Sequence, residues 1–321
     1  MRAQIIGTGS CLPEKVVTNE FLSTIVDTSD EWITSRTGIR ERHISVDETT
    51  ASLSTQAARR AMEMAGVTAE EIDLIIVATC TADTLVPSTA CLVQDELGAA
   101  GATAFDVNAA CSGFVFALSI VDMYMQAGIY QTALVIGAET LSRIVNWEDR
   151  TTCVIFADGA GAAVVRASEK GAITSTLGSD GSKGGTIYVK SRENYNPFVP
   201  EEKPTDWLFM DGGEVFKFAV RKIPEAINET LKKADLTVDD IDWFLLHQAN
   251  ARINEAIAKR LGIPAEKMPA NLEHVGNTSG GSVPILLDEV NQKGLLKSGD
   301  KIVFAGFGSG LTWGVMVLEW P

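Results

Sequence analysis

The chain contains a weak copy of itself. Residues 65–79 (AGVTAEEIDLIIVAT) align with residues 234–248 (ADLTVDDIDWFLLHQ) at a shift of 169, since 234 − 65 = 169; each copy reads as a helix end, an acidic turn and a buried strand. Residues 5–10 match 175–179 in character at the same shift, because Gly178 − Gly9 is again 169, and 156–165 resemble 307–316 near the end of each half. Three matches in one order make a duplicated unit, and each copy then has to bury an apolar face against the other. Helical and strand-like patterns alternate in both copies, the pattern of parallel sheet with helices on its faces. The expected architecture is therefore two α/β halves, 1–169 and 170–321, around a pseudo-twofold axis, with a Gly-, Ser-, Asn- and Pro-rich surface loop at 179–204 near the boundary.

A thiol sits where such a fold concentrates chemistry. Residues 103–107 read as a strand, and an apolar, small-residue run continues from there to Ala127 and stops at Gly128, which places Cys111 at a helix N-terminus. Unpaired backbone N–H groups and the positive end of the helix dipole favour a thiolate, so the residue should be more acidic than an ordinary cysteine. Ala109, Ala110, Ser112 and Gly113 allow a tight turn and the approach of a carbonyl. Cys11, Cys80, Cys91 and Cys153 have no such setting.

Composition narrows the chemistry. The chain has 321 residues, 45% of them apolar, enough for one large core or two. Five cysteines without disulfide-like or metal-like spacing fit a reducing compartment, and three histidines without a cluster leave no metal site. A net charge of −15 disfavours nucleic acid and anionic membrane as partners. The first residues lack the pattern of a signal peptide, and the longest apolar run, 109–121, is short of a membrane span, so the expected location is cytoplasmic.

The local signals are ordinary. Thr28-Ser-Asp-Glu31 reads as a capping box with Thr28 as N-cap, opening a short helix that carries Trp32 and Arg36 on one face. Residues 54–64 and 88–97 read as helices closed by Gly66 and Gly98. The run Asp158-Gly-Ala-Gly161 lacks the third glycine of a dinucleotide fingerprint and reads as a tight turn between buried strands.

Two C-terminal residues complete a constellation. His247 follows the buried run 241–246, at the strand edge where α/β sheets place ligands, and Asn277 opens the next helix 166 residues after Cys111, close to the repeat shift. The motifs around them, His247-Gln-Ala-Asn-Ala-Arg-Ile253, Gly276-Asn-Thr-Ser279, Thr28-Ser-Asp-Glu-Trp-Ile33, Arg36-Thr-Gly-Ile-Arg-Glu-Arg42 and the Cys111 turn, resemble β-ketoacyl-acyl-carrier-protein synthase III of the thiolase superfamily over essentially the whole chain.

That resemblance implies a five-layered αβαβα fold, a homodimer, and decarboxylative condensation of a short acyl-CoA with malonyl-acyl carrier protein, with coenzyme A thioester as substrate and no resident cofactor. It implies Cys111 as the acylated nucleophile, His247 and Asn277 as enolate-stabilising donors, and the backbone N–H groups of Cys111 and Ser309 as the oxyanion hole. A serine at 309 replaces the middle of three family glycines but keeps that donor. Thr28, Trp32, Arg36, Arg150 and Asn250 correspond to coenzyme A contacts, with Trp32 and Arg150 around the adenine and Gly213 standing where the family has a polar residue. Lys217, Arg252, Lys259 and Arg260 correspond to the face that receives the carrier protein, and Val86 to the acyl-pocket position contributed across the dimer. A small side chain there leaves room for branched or four- to five-carbon primers. The competing readings are a starter-unit ketosynthase or acyltransferase of secondary metabolism and, from another class, a cysteine hydrolase whose nucleophile elbow is Ala109-Ala-Cys-Ser-Gly113.

Overall fold

The computed structural model describes residues 1–190 and 207–321; the 191–204 part of the expected surface loop lies outside the described residues. Nine strands build two large sheets: β1 (Arg2–Cys11), β2 (Leu74–Ala78), β3 (Thr103–Val107), β4 (Thr132–Thr140), β5 (Asp158–Ser168), β6 (Ala172–Ser179), β7 (Trp243–Leu246), β8 (Lys301–Gly308) and β9 (Thr312–Glu319). The first sheet has the order β1-β5-β4-β2-β3 and the second β6-β9-β8-β7. In both, the pairs at the β1 or β6 end are antiparallel and the pairs at the other end parallel. Shifting β2 and β4 by the repeat explains the match: Leu74 of β2 corresponds to Trp243 of β7, and Thr132 of β4 to Lys301 of β8, both at 169.

The principal helices are α1 (Asp30–Thr37), α2 (Thr50–Ala65), α3 (Thr89–Leu97), α4 (Gly113–Gln126), α5 (Gly212–Lys233), α6 (Ala251–Leu261) and α7 (Ser282–Gln292). Side-chain alternation sorts them into layers. Leu74, Ile76 and Ala78 of β2 pack with α4 and α7 in a middle layer shared with Phe304 and Met316 of the second sheet, whereas Ile75 and Val77 point outward onto α2 and α3. Phe244, Leu246, Val303 and Val315 face α5 and α6 on the far side. The result is the five-layered αβαβα arrangement. It also explains why the strands read as continuous apolar runs, since both faces of each sheet are covered. Helix α4 is apolar nearly all round because it lies between two sheets; its buried Asp122 is met by Arg2 at 2.8 Å.

Three local expectations change. Ser29, not Thr28, caps α1: its backbone is extended and its hydroxyl accepts from the Trp32 N–H at 3.1 Å. Helix α2 begins four residues before the expected 54 because Thr49 and Ser52 form a reciprocal cap. The run Asp158–Gly161 is no turn; it is the start of β5, paired with β4 throughout and with β1 from Ala160 onward.

The two halves meet through bare backbone. A Cβ on Gly137 of β4 would lie 2.1 Å from the Gly280 carbonyl oxygen, and one on Gly306 of β8, 169 residues later, would lie 2.8 Å from the Ser112 Cα. Gly137→Ala should therefore lower stability by about 1–3 kcal/mol through overpacking, read as a drop in denaturation midpoint. Gly101→Ala, with nothing within 4 Å of the added methyl, should stay near wild type. Equal midpoints for both variants would contradict this account of the seam.

Candidate active site

Between β3 and α4 the chain passes through a single 3-10 turn, Ala110–Ser112, entered with Ala110 at a left-handed φ of 46°. The same turn recurs as Ser279–Gly281 before α7, with Ser279 also at 46°. Non-glycine residues rarely adopt this region, so each corner is a strained feature held by its surroundings. The symmetry pairs Cys111 with Gly280 and Asn108 with Asn277, since 280 − 111 and 277 − 108 are both 169. The sequence pairing of Asn277 with Cys111 is thus three residues out, because a turn intervenes between Asn277 and its helix.

The two corners and the end of β7 converge on one cavity of about 540 Å³, lined by Cys111, His247, Asn277, Phe307 and Ser309 among others. His247 continues the parallel ladder of β7, its N–H donating to the Ala305 carbonyl at 2.8 Å. Its ring stands edge-on to Phe307 at 5.2 Å between centroids. Nδ1 is buried without a hydrogen-bond partner, and burial pushes the imidazole down to about 3. Asn277 is clamped on three sides. Its N–H donates to the Ile155 carbonyl at 3.1 Å, its carbonyl accepts from Ala157 at 2.9 Å, and its Oδ1 accepts from the Ser279 N–H at 2.9 Å. With Oδ1 so engaged, the amide NH₂ is the group left for a ligand.

The thiol departs from expectation. Burial pushes Cys111 up to about 11, outweighing the hydroxyl of Ser279 and the Cys111 and Ser309 backbone N–H groups that favour its anion. A helix N-terminus lowers a thiol pKa where water also reaches the sulfur; in this enclosed turn desolvation dominates. Ser309 has no left-handed backbone, and its hydroxyl is tied to the Ile187 carbonyl at 2.6 Å, so serine is accommodated in place of glycine.

A second groove of about 570 Å³ adjoins the cavity and shares Ile155, Met210, Gly212 and Asn250 with it. It holds Trp32, Arg36, Arg150, Gly213, Lys217 and Arg252. The Arg36 and Arg150 guanidinium groups lie 4.8 and 5.0 Å from the Trp32 ring centre. Asn250 caps α6 with Oδ1 while Nδ2 donates to the Arg36 carbonyl at 2.9 Å. Thr28, Lys259, Arg260 and Val86 line neither space; Leu85 and Val86 are 80% and 83% exposed. Sequence reading missed Glu139, a buried carboxylate behind the Cys111 turn that accepts from Thr81 at 2.5 Å. A charge closing an otherwise apolar strand was the available signal.

Profiles of the family described as 3-oxoacyl-[acyl-carrier-protein (ACP)] synthase III match residues 105–181, and those of its C-terminal region residues 231–320. The chain is 51% identical over 319 residues to the beta-ketoacyl-[acyl-carrier-protein] synthase III of Clostridium acetobutylicum, covering 99% of this chain and 98% of that one. Its fold is similar to the crystal structure of 3-oxoacyl-[acyl-carrier-protein] synthase III from Aquifex aeolicus, with a TM-score of 0.93 and 46% identity over 99% of this chain and 100% of that one. The priming β-ketosynthase of the R1128 polyketide pathway is similar at 37% identity and a TM-score of 0.93, covering 100% of this chain and 96% of that one.

A His247 folded pKa near 3, against about 6.5 in the unfolded chain, means that only the unfolded state takes up this proton between those values. The stability contribution is therefore complete above pH 6.5 and is lost as pH falls toward 3. The imidazole NMR signals of His247 should stay at neutral-ring positions from pH 8 to pH 5. A midpoint near 6.5 would contradict the buried, neutral assignment.

Proposed function

The chain belongs to the 3-oxoacyl-[acyl-carrier-protein] synthase III family, and from that premise we propose that it is the initiating condensing enzyme of type II fatty acid synthesis. It joins a short acyl group from an acyl-CoA to malonyl-acyl carrier protein, giving 3-oxoacyl-acyl carrier protein, CoA and carbon dioxide. The observation that carries this reading to particular residues is the convergence of Cys111, His247 and Asn277 on one enclosed cavity.

The acyl-CoA lies in the outer groove. Trp32 and Arg150 take the adenine between them, Arg36 meets phosphate, Thr28 contributes from the residue before the Ser29 cap of α1, outside the groove lining, and Asn250 borders the pantetheine arm where the two spaces join. A ring between Trp32 and Arg150 needs about 7–8 Å, twice an ordinary contact distance, so Arg150 must swing outward from its 5.0 Å position. Its contacts with Asp27, at 2.7 and 3.3 Å, are exposed and readily exchanged. Cys111 accepts the acyl group and CoA leaves. Malonyl-carrier protein follows, and the His247 Nε2–H and the Asn277 amide hold its thioester oxygen as carbon dioxide departs. A neutral imidazole suits this task, because a donor that stays uncharged at neutral pH stabilises enolate charge without a competing proton transfer. The carbanion attacks the acyl-Cys111 carbonyl, whose oxyanion rests on the Cys111 and Ser309 N–H groups. Donors aimed at developing charge in a dry site are worth roughly two to three powers of ten each.

Lys217, Arg252, Lys259 and Arg260 receive the acidic carrier protein. They stand on α5 and α6, Lys217 and Arg252 beside the groove and Arg260 held by the Val220 carbonyl at 3.0 Å. The enzyme works as a homodimer in the cytoplasm. An uncovered apolar pair, Leu85 and Val86, and the open edge of β3 support the dimer. Val86 then borders the partner's acyl pocket and admits small branched primers beside acetyl.

Incubation with labelled acetyl-CoA, then malonyl-carrier protein, should place label on Cys111 alone by peptide mapping. It should then move into a 3-oxoacyl product with one carbon dioxide released per condensation. Label on another cysteine, or hydrolysis of the thioester without condensation, would overturn the assignment.

A further inference from the structure

The two symmetry-related corners are filled differently. By the repeat, Glu139 of β4 corresponds to Gly308 of β8 and Gly280 to Cys111, since 308 − 139 and 280 − 111 are both 169. At the Cys111 corner the strand supplies the glycine and the turn the side chain: a Cβ on Gly308 would lie 2.7 Å from the Cys111 sulfur. At the Asn277 corner the roles are exchanged, and a Cβ on Gly280 would lie 3.2 Å from Glu139 Oε1. The Glu139 carboxylate thus takes, against the Asn277 corner, the place that the thiol takes in its own. It is fully buried there, accepting from the Thr81 hydroxyl at 2.5 Å and from the Thr79 hydroxyl and the Cys80 N–H at 3.2 Å, all on the turn after β2. Toward the second half it accepts from the Ser279 hydroxyl at 3.3 Å.

Ser279 connects this carboxylate to Asn277. Its N–H donates to Asn277 Oδ1 at 2.9 Å, which leaves the amide NH₂ for a ligand. The N–H belongs to a residue at φ 46°, where glycine would sit without strain and serine does not. The hydroxyl that glycine would lack is the group that meets Glu139. The other copy shows the same corner without this anchor. Ala110 has the same φ and no hydroxyl; its N–H lies 3.3 Å from Asn108 Oδ1, and Asn108 is exposed whereas Asn277 is buried.

We propose that Glu139 is a positioning residue for the decarboxylating half-reaction: seated against Gly280 and bonded to Ser279, it holds the left-handed corner in place and so aims the Asn277 amide at the thioester oxygen. This rests on the reading of Asn277 as an enolate donor given above. Glu139 itself makes and breaks no bond in the reaction. It acts on one half-reaction because the corner it holds carries Asn277, whereas acyl transfer is carried by Cys111. Burial first, and the Glu139 charge with it, raise the Cys111 thiol, so the carboxylate gives the nucleophile no help. A donor displaced by a fraction of an ångström loses much of its worth, which makes the anchor of a donor matter to rate.

The test is carbon dioxide release from malonyl-carrier protein in a Cys111→Ala parent, with Glu139→Ala added alone and together with Asn277→Ala. Alone, Glu139→Ala should lower kcat by roughly tenfold or more and leave KM within about threefold. Added to Asn277→Ala it should cost less than about twofold, because a residue that acts through Asn277 has nothing left to aim. Glu139→Gln refills the space with a group that still bonds Ser279 and should recover most of the loss. With Cys111 present, labelled acetyl-CoA should acylate the Glu139→Ala enzyme within about threefold of the wild-type rate. Decarboxylation at the parent rate, the full loss repeated in the Asn277→Ala background, no recovery with glutamine, or an equal loss of acylation would overturn the positioning role. Should Glu139→Ala not fold, Ser279→Ala carries the same decarboxylation cycle. A Cys111→Ala parent that releases no carbon dioxide, or an Asn277→Ala variant as fast as that parent, would sink the functional reading itself, and the positioning role with it.

Discussion

The site depends on backbone packed against backbone at two symmetry-related points. Gly137 lies against the Gly280 carbonyl, and Gly306 against Cys111 and Ser112, so each half presses a sheet strand onto the helix-opening turn of the other. Only residues without a Cβ permit this approach. Because the contacts are backbone to backbone, they fix the height and orientation of both turns together. The Cys111 thiol from one half and the Asn277 corner from the other therefore share a cavity that neither half could build alone.

Enclosure follows from that contact, and it acts in opposite directions on different groups. It strips much of the water from around the half-buried thiol and drives it toward the neutral form, and it keeps His247 uncharged. Both effects look unhelpful when each residue is considered singly. For decarboxylation they are useful, since neutral donors in a low-dielectric pocket stabilise an enolate more strongly than they would in water. For acyl transfer the same dryness leaves the thiol needing somewhere to send a proton.

Much of this was legible in the sequence, because duplication is written in residue patterns. The shift of 169 relates β2 to β7 and β4 to β8, and the apolar character of 113–126 announced a helix covered on all sides. What stayed hidden depends on distance in space. Nothing in the run TALVIGAET says that Glu139 stands behind the thiol, since its partners come from 79–81 and from 279. The acidity of Cys111 was misjudged for a related reason: the helix terminus is a local feature, whereas desolvation is set by the whole enclosure. The choice of Ser29 over Thr28 as cap turned on one residue's extended backbone, a distinction below the resolution of a motif.

The central claim is a division of labour, in which Cys111 carries the acyl group while His247 and Asn277 stabilise the enolate. The most direct measurement is carbon dioxide release from malonyl-carrier protein beside acyl-enzyme formation for Cys111→Ala, His247→Ala and Asn277→Ala. The account expects Cys111→Ala to lose acylation yet keep slow decarboxylation. It expects the other two still to acylate while decarboxylation falls by roughly two or more powers of ten. A His247→Ala enzyme that decarboxylates normally but cannot be acylated would contradict it, and would make His247 a base for the thiol.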